Sequence, residues 1–129
     1  MQLGYVIFYV TDVPATLAFY ESTFGLKRRF LHESNTYGEL ETGSTTLAFA
    51  SEDMAKSNGL TVRFLRPQET SAAMELGLVT PDVPAAFQRA VQSGAIPVQP
   101  PKQKPWGQTV AYVKDLNGVL VELCSPMAT

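Results

Sequence analysis

The sequence predicts an α+β fold in which one β-α-β-β-β unit occurs twice in tandem. Three observations carry this. Asp12-Val13-Pro14-Ala15 recurs as Asp82-Val83-Pro84-Ala85, seventy residues later. An alternating apolar run precedes each copy of the tetrapeptide and an amphipathic run follows it. A glycine closes each amphipathic run, Gly25 in the first copy and Gly94 in the second.

The elements follow in order. Residues 3–10 are expected as a strand, 13–24 as a helix, and 27–33, 36–42 and 45–50 as strands. Asp12 begins the helix, because its carboxylate can accept from free backbone N–H groups and Pro14 suits the first turn. Gly25 suits the left-handed residue that ends a helix. Positions 51–72 are polar, contain Asn58-Gly59 and Arg66-Pro67, and exceed most connections inside a compact unit. They are read as a linker between module 1 (about 1–50) and module 2 (about 73–129) of a single domain. In the second module a strand is expected at 73–80, a helix at 83–93, and strands near 96–99, 107–114 and 119–124. Asp115-Leu116-Asn117-Gly118 marks the last hairpin, since Asn-Gly tolerates positive φ. Pro97, Pro100, Pro101 and Pro105 restrict 96–105 to an edge strand or an extended loop.

Composition sets the function classes aside. Of the 129 residues 45% are apolar, which suits a folded globular chain, and 17% are charged, below the usual quarter. The low charge points to surface covered by a partner, and a homodimer is expected. The net charge of −2, without a long basic run, argues against nucleic acid. One cysteine and one histidine allow neither an internal disulfide nor a Cys/His zinc set. No membrane-spanning stretch and no leader-like segment are read, so a cytoplasmic protein is expected.

Strand alternation separates the two sheet faces. Val6, Phe8 and Val10 share one face of the first strand, and Tyr5, Ile7 and Tyr9 the other. Leu76, Leu78 and Thr80 oppose Glu75, Gly77 and Val79. Val119, Val121 and Leu123 oppose Leu120, Glu122 and Cys124. The aliphatic sets belong under the helices, which leaves Tyr5, Glu75 and Glu122 facing a groove.

These residues resemble the vicinal oxygen chelate superfamily of glyoxalases, bleomycin-resistance proteins and extradiol dioxygenases. The likeness spans nearly the whole chain. It rests on Tyr5 to Gly25 with Phe19-Tyr20 and Phe24-Gly25-Leu26, on Glu39-Leu40-Glu41-Thr42-Gly43, and most specifically on Tyr112 to Pro126 with Asp115-Leu116-Asn117-Gly118-Val119-Leu120-Val121-Glu122-Leu123. The resemblance implies two βαβββ modules forming a cupped mixed sheet with helices on its outer face, around a small-molecule site and often in a homodimer. Its metal-binding members use histidine or glutamate at four positions. One lies seven residues before each capping aspartate, which gives Tyr5 and Glu75. The last-strand position is Glu122. Laying Leu47-Ala48-Phe49-Ala50-Ser51 over Val121-Glu122-Leu123-Cys124-Ser125 gives Ala48 as its counterpart.

Two carboxylates, a phenol and a methyl group depart from that set. A transition-metal site with an open position normally has three protein ligands. A phenol with an ordinary pKa of about 10 is a poor substitute. No cofactor is therefore expected, although Glu75 and Glu122 with several waters would suit a hard divalent ion.

Glu75 and Glu122 are the foremost candidates, since a carboxylate in an apolar groove needs a cation, a donor or a proton. Placed close together, one of them has a raised pKa and suits a general base. Exposure to water at a strand end is the alternative. Tyr5 and Tyr9 are candidates for stacking on a ligand or for filling the cup. Trp106, between Pro105 and Gly107, reads as a ligand or interface residue in a loop. His32 falls in the second strand with Arg28 and Phe30 on its face. A plain strand role competes there with entry into the groove. Cys124 has no neighbouring His or Lys in sequence to lower its pKa and reads as inert. Arg63 and Arg66 read as solvated linker charges.

The leading expectation is a metal-free protein holding a small aromatic or cationic molecule in the groove, in the manner of bleomycin-resistance-like sequestration. Tyr5, Tyr9, His32, Glu75, Trp106 and Glu122 would line it. The rival is a divalent-metal glyoxalase-like lyase or isomerase, or a dioxygenase, using Glu75 and Glu122. A purely structural module is a third reading.

Overall fold

The computed structural model describes residues 1–127. The last two residues of the expected second module lie outside them. The chain divides into two compact units, residues 1–65 and those from Arg66 onward, and the break falls inside the stretch read as a linker. Each unit carries one four-stranded mixed sheet and helix, so the α+β reading and the duplication hold.

The first unit runs β1 (Tyr5–Val10), α1 (Val13–Phe24), β2 (Lys27–Leu31), β3 (Tyr37–Glu41), β4 (Thr46–Ser51) and α2 (Glu52–Ser57). Its sheet order is β1-β4-β3-β2, with β1 parallel to β4 and the other pairs antiparallel. The Asp12 carboxylate accepts from the Ala15 N–H at 2.9 Å, and Pro14 sits in the first turn. Gly25 ends α1 at φ 69°, a left-handed conformation that favours glycine. The helix lays Leu17 and Tyr20 on β3 and β4, and Tyr20 meets Phe49 at 5.0 Å between ring centroids. Phe49 and Leu17 are fully buried, each contributing about 2 kcal/mol by leaving water. Gly38 is required beneath this helix, because a Cβ there would overlap the Leu17 side chain.

Three expectations change here. The linker reading missed α2, whose start is signalled by Ser51 accepting from the Met54 N–H at 3.3 Å and by Glu52 and Asp53 in its first turn. Its Ala55 is buried, and the helix packs on β1 and β4. The register of β2 against β3 shifts between Arg28 and Phe30. That bulge breaks the simple alternation, so Arg28 turns to Glu21 of α1 at 2.6 Å while Phe30 packs on Tyr37 at 5.9 Å. The two do not share a face. β2 also ends at Leu31, which leaves His32 outside the strand.

The second unit runs β5 (Glu75–Val79), α3 (Val83–Gln92), β6 (Ile96–Gln103), β7 (Thr109–Lys114) and β8 (Leu120–Cys124), in sheet order β5-β8-β7-β6. Asp82 repeats the cap, accepting from the Ala85 N–H at 3.1 Å. Ser93 rather than Gly94 is the C-cap of α3, and Gly94 supplies the positive φ one residue later. Asp115 forms the last turn by accepting from the Asn117 and Val119 N–H groups, each at 2.8 Å. β6 is an edge strand, as its prolines require, and runs four residues further than expected, with register shifts after Pro97 and Gln99. α3 packs on β7, β6 and β8 over Ala111, Val113 and Val121, all fully buried.

Candidate functional site

The faces away from the helices carry the polar chemistry, and in each unit the sheet register decides what meets. In the second unit Glu122 lies opposite Gly77, and Glu75 opposite Leu120. Glu75 and Glu122 are thus diagonal neighbours on one face. Glycine at position 77 presents no side chain between them, and a Cβ there would meet nothing within 4 Å. The two carboxyls are near enough for each to bear on the other's proton. On the other side Tyr112 is the direct cross-strand partner of Glu122, and its hydroxyl donates to Glu122 Oε1 at 2.8 Å. Cys124 is on the same face.

Electrostatics follow from that crowding. Glu75 is held above its ordinary carboxyl value, first by loss of solvent around the carboxyl and then by the neighbouring Glu122 carboxyl. The residue as a whole is exposed. Tyr112 is pushed up to about 12 by its hydrogen bond to Glu122, with burial adding to it. Burial and the same glutamate push the Cys124 thiol up, which leaves it a poor nucleophile. Neither Glu75 nor Glu122 forms an ion pair with a basic side chain among the described residues.

The first unit has the same register with different occupants. Ala48 lies opposite Ile7, two residues beyond Tyr5, as Glu122 lies opposite Gly77, two beyond Glu75. The internal match of Ala48 to Glu122 is therefore met in the backbone. Opposite Ala48 stands Glu39, at the position Tyr112 holds in the second unit. Glu39 is only 7% exposed. It accepts from the Tyr37 hydroxyl at 2.7 Å and pairs with Arg29 at 3.3 Å. Arg29 also holds Glu41 in a bidentate pair at 3.0 and 2.8 Å and donates to the Thr46 hydroxyl. That pair keeps the Glu41 carboxyl below its ordinary range, and burial with the Glu39 contact raises Tyr37.

The remaining candidates are dispersed. Tyr5 is exposed on the same face of the first sheet as Ile7, and Tyr9 is half-buried on that face. His32 sits exposed in the turn after β2, with its Nδ1 against the Ser34 hydroxyl at 2.7 Å. Trp106 is exposed in the loop after β6, where its indole N–H donates to Gln108 at 2.7 Å. Arg63 is exposed. Sequence pattern alone does not single out Glu39, Arg29, Tyr37 or Tyr112 as site residues. A signal for Tyr112 exists, since counting five residues either way from Asn117 pairs it with Glu122.

Two βαβββ units, each with its helix on one sheet face and candidate side chains on the other, define a class of small α+β proteins. Within that class, residues 2–123 match the family model of the Glyoxalase/Bleomycin resistance protein/Dioxygenase superfamily, and the chain belongs to this superfamily. The fold is similar to a glyoxalase-related enzyme from Fulvimarina pelagi, at 20% identity and a TM-score of 0.82, over 98% of this chain and 88% of that one. It is also similar to a glyoxalase/bleomycin resistance protein/dioxygenase family enzyme from Burkholderia phytofirmans PsJN (18% identity, TM-score 0.79, 97% and 98% covered). TioX from Micromonospora sp. ML1 is a third (23%, 0.73, 97% and 98%). No functionally curated protein matches the sequence.

The divalent metal that the family implies meets an unsuitable donor set. Tyr5, Ala48, Glu75 and Glu122 occupy the four matched positions, and Glu122 already accepts the Tyr112 hydroxyl. Among the described residues no three His, Cys, Asp or Glu side chains converge. The residues present do not fit a three-ligand transition-metal centre. Among the described residues no helix is long and apolar enough to cross a membrane.

Proposed function

We propose that this protein binds a small cationic, flat and apolar molecule on the helix-free face of its second sheet, without a metal and without transforming it. One observation carries the reading: Glu75 and Glu122 are diagonal neighbours on that face, and neither is ion-paired with a basic side chain among the described residues. Two acids in contact need a shared proton or an external cation, and a bound cation relieves their repulsion. Tyr112 beside the pair and exposed Trp106 supply aromatic surface that suits such a ligand. Tyr5, Tyr9 and His32 are proposed as ligand contacts on the first module's own surface, and the protein is proposed to act as a homodimer in the cytoplasm.

Calorimetry with a panel of aromatic quaternary ammonium compounds tests this. The expected result is saturable binding that falls about tenfold in Glu122→Gln, the loss of one charge interaction. Binding that is absent across the panel, or unchanged in that variant, sinks it.

A second reading, a lyase or isomerase, draws on the raised Glu75, because a carboxyl shifted upward by a neighbouring acid suits a general base. Turnover of a thiol adduct that is lost in Glu75→Gln would favour it over sequestration.

A further inference from the structure

The second sheet has a basic end as well as an acidic one. Between β6 and β7 lies a hollow of about 290 Å³ whose walls include Gln99, Pro100, Lys102, Lys104, Val110 and Tyr112. Lys102 pairs in register with Val110 and Gln99 with Tyr112, so these side chains occupy the face that carries Glu122. Lys102 and Lys104 form no ion pair with any described residue. Tyr112 is a wall shared by both features, because it lines the hollow and its hydroxyl binds Glu122.

Strand order sets the spacing. β6 is two strand spacings from β8 and three from β5, so the lysine end stands about 10 Å from Glu122 and about 14 Å from Glu75. That is too far for direct pairing, and both charges stay available to an external molecule. Pro100 and Val110 line the floor with apolar surface, which suits the body of an organic ligand better than a bare hydrated ion.

We propose that the hollow between β6 and β7 binds the anionic end of a small zwitterionic molecule whose cationic end meets Glu75 and Glu122. The acidic end rests on the function proposed above, and the basic end stands on its own geometry. Lys102 and Lys104 act as a paired carboxylate clamp, and Tyr112 marks the middle of the ligand.

The test is calorimetric titration of the full chain with three probes: benzoate, benzyltrimethylammonium and 4-guanidinobenzoate, which carries opposite charges at the two ends of one ring. Benzoate is expected to bind at low salt, to weaken about tenfold when Lys102→Gln and Lys104→Gln are combined, and not to weaken in Glu122→Gln, which removes a like charge. The zwitterion is expected to bind at least about tenfold tighter than either single-charge probe, because its second contact is intramolecular. Benzoate binding that is absent, or indifferent to the two lysine substitutions, overturns the basic end. A zwitterion no tighter than benzoate overturns the bridge. Lysine-dependent benzoate binding alongside an inert ammonium probe would instead overturn the function proposed above and leave the anionic site standing. Both lysines lie at the surface of an edge strand and its following loop, and unchanged circular dichroism of the double variant checks that the fold is kept.

Discussion

The two modules share a backbone and differ in how they treat charge. In the first, the buried carboxylate is on β3 at Glu39, and it is answered in place by Tyr37 and Arg29. In the second, the carboxylates are on β5 and β8, and their neighbours are each other and a phenol. The register is the same in both, with Glu39 facing Ala48 where Tyr112 faces Glu122. A satisfied network of this kind stabilises and rigidifies a sheet face. An acid pair left without a cation makes a poor structural element and a good receptor for one. The duplication supplied two equal platforms, and only the second keeps charge in reserve.

The comparison breaks most severely if the reserve is moved across. Ala48→Glu would place the second module's carboxylate at a fully buried position facing Glu39. It should destabilise the protein by about 3 kcal/mol or more, read as a fall in the urea midpoint. A stable variant would mean that the first face adapts as freely as the second. A smaller effect separates the existing carboxylates. Glu39→Leu leaves the Tyr37 hydroxyl without its acceptor and should cost about 2 kcal/mol. Glu122→Leu should shift stability by less than about 1 kcal/mol, because relief of the Glu75 repulsion offsets the lost Tyr112 bond. Equal losses in the two variants would erase the distinction.

The smallest effect is the most diagnostic. Glu75 has a folded-state pKa above its ordinary 4.5, so the folded state binds its proton more tightly than the unfolded chain does. Its contribution to stability is complete below that ordinary value and is lost as pH rises through the folded value. Wild-type stability should therefore decline relative to Glu75→Gln as pH climbs from 4.5 toward neutrality. Denaturant titrations of both proteins at a series of pH values read the difference. Parallel curves would show that the acid pair does not crowd.

Much of this is legible in the residues. The repeated Asp-Val-Pro-Ala sets both helix starts, and both carboxylates cap their helices as that pattern requires. Alternation places Glu75 and Glu122 on the helix-free face because β5 and β8 are regular strands. It fails for Arg28, which the β2 bulge at Arg29 puts on a different face from Phe30, and for His32, because β2 ends at Leu31; no residue in Lys27–Leu31 signals a bulge. Glu39 escapes notice for another reason. Alternation in Tyr37–Glu41 does put it opposite Gly38 and Leu40, but its value depends on Arg29, which the same bulge turns toward it. The helix Glu52–Ser57 is too short to show periodicity and is marked only by its cap and acidic first turn. Lys102 and Lys104 are hidden because four nearby prolines obscure the strand that aligns them.

Those prolines have a consequence for how the molecule behaves in a crowded solution. Pro97, Pro100 and Pro101 lie on the outermost strand and lack the amide hydrogen through which a stray chain would zip onto the sheet. Two register slips make the same border uneven, and its lysines repel copies of itself. That border is built to refuse fibrous growth.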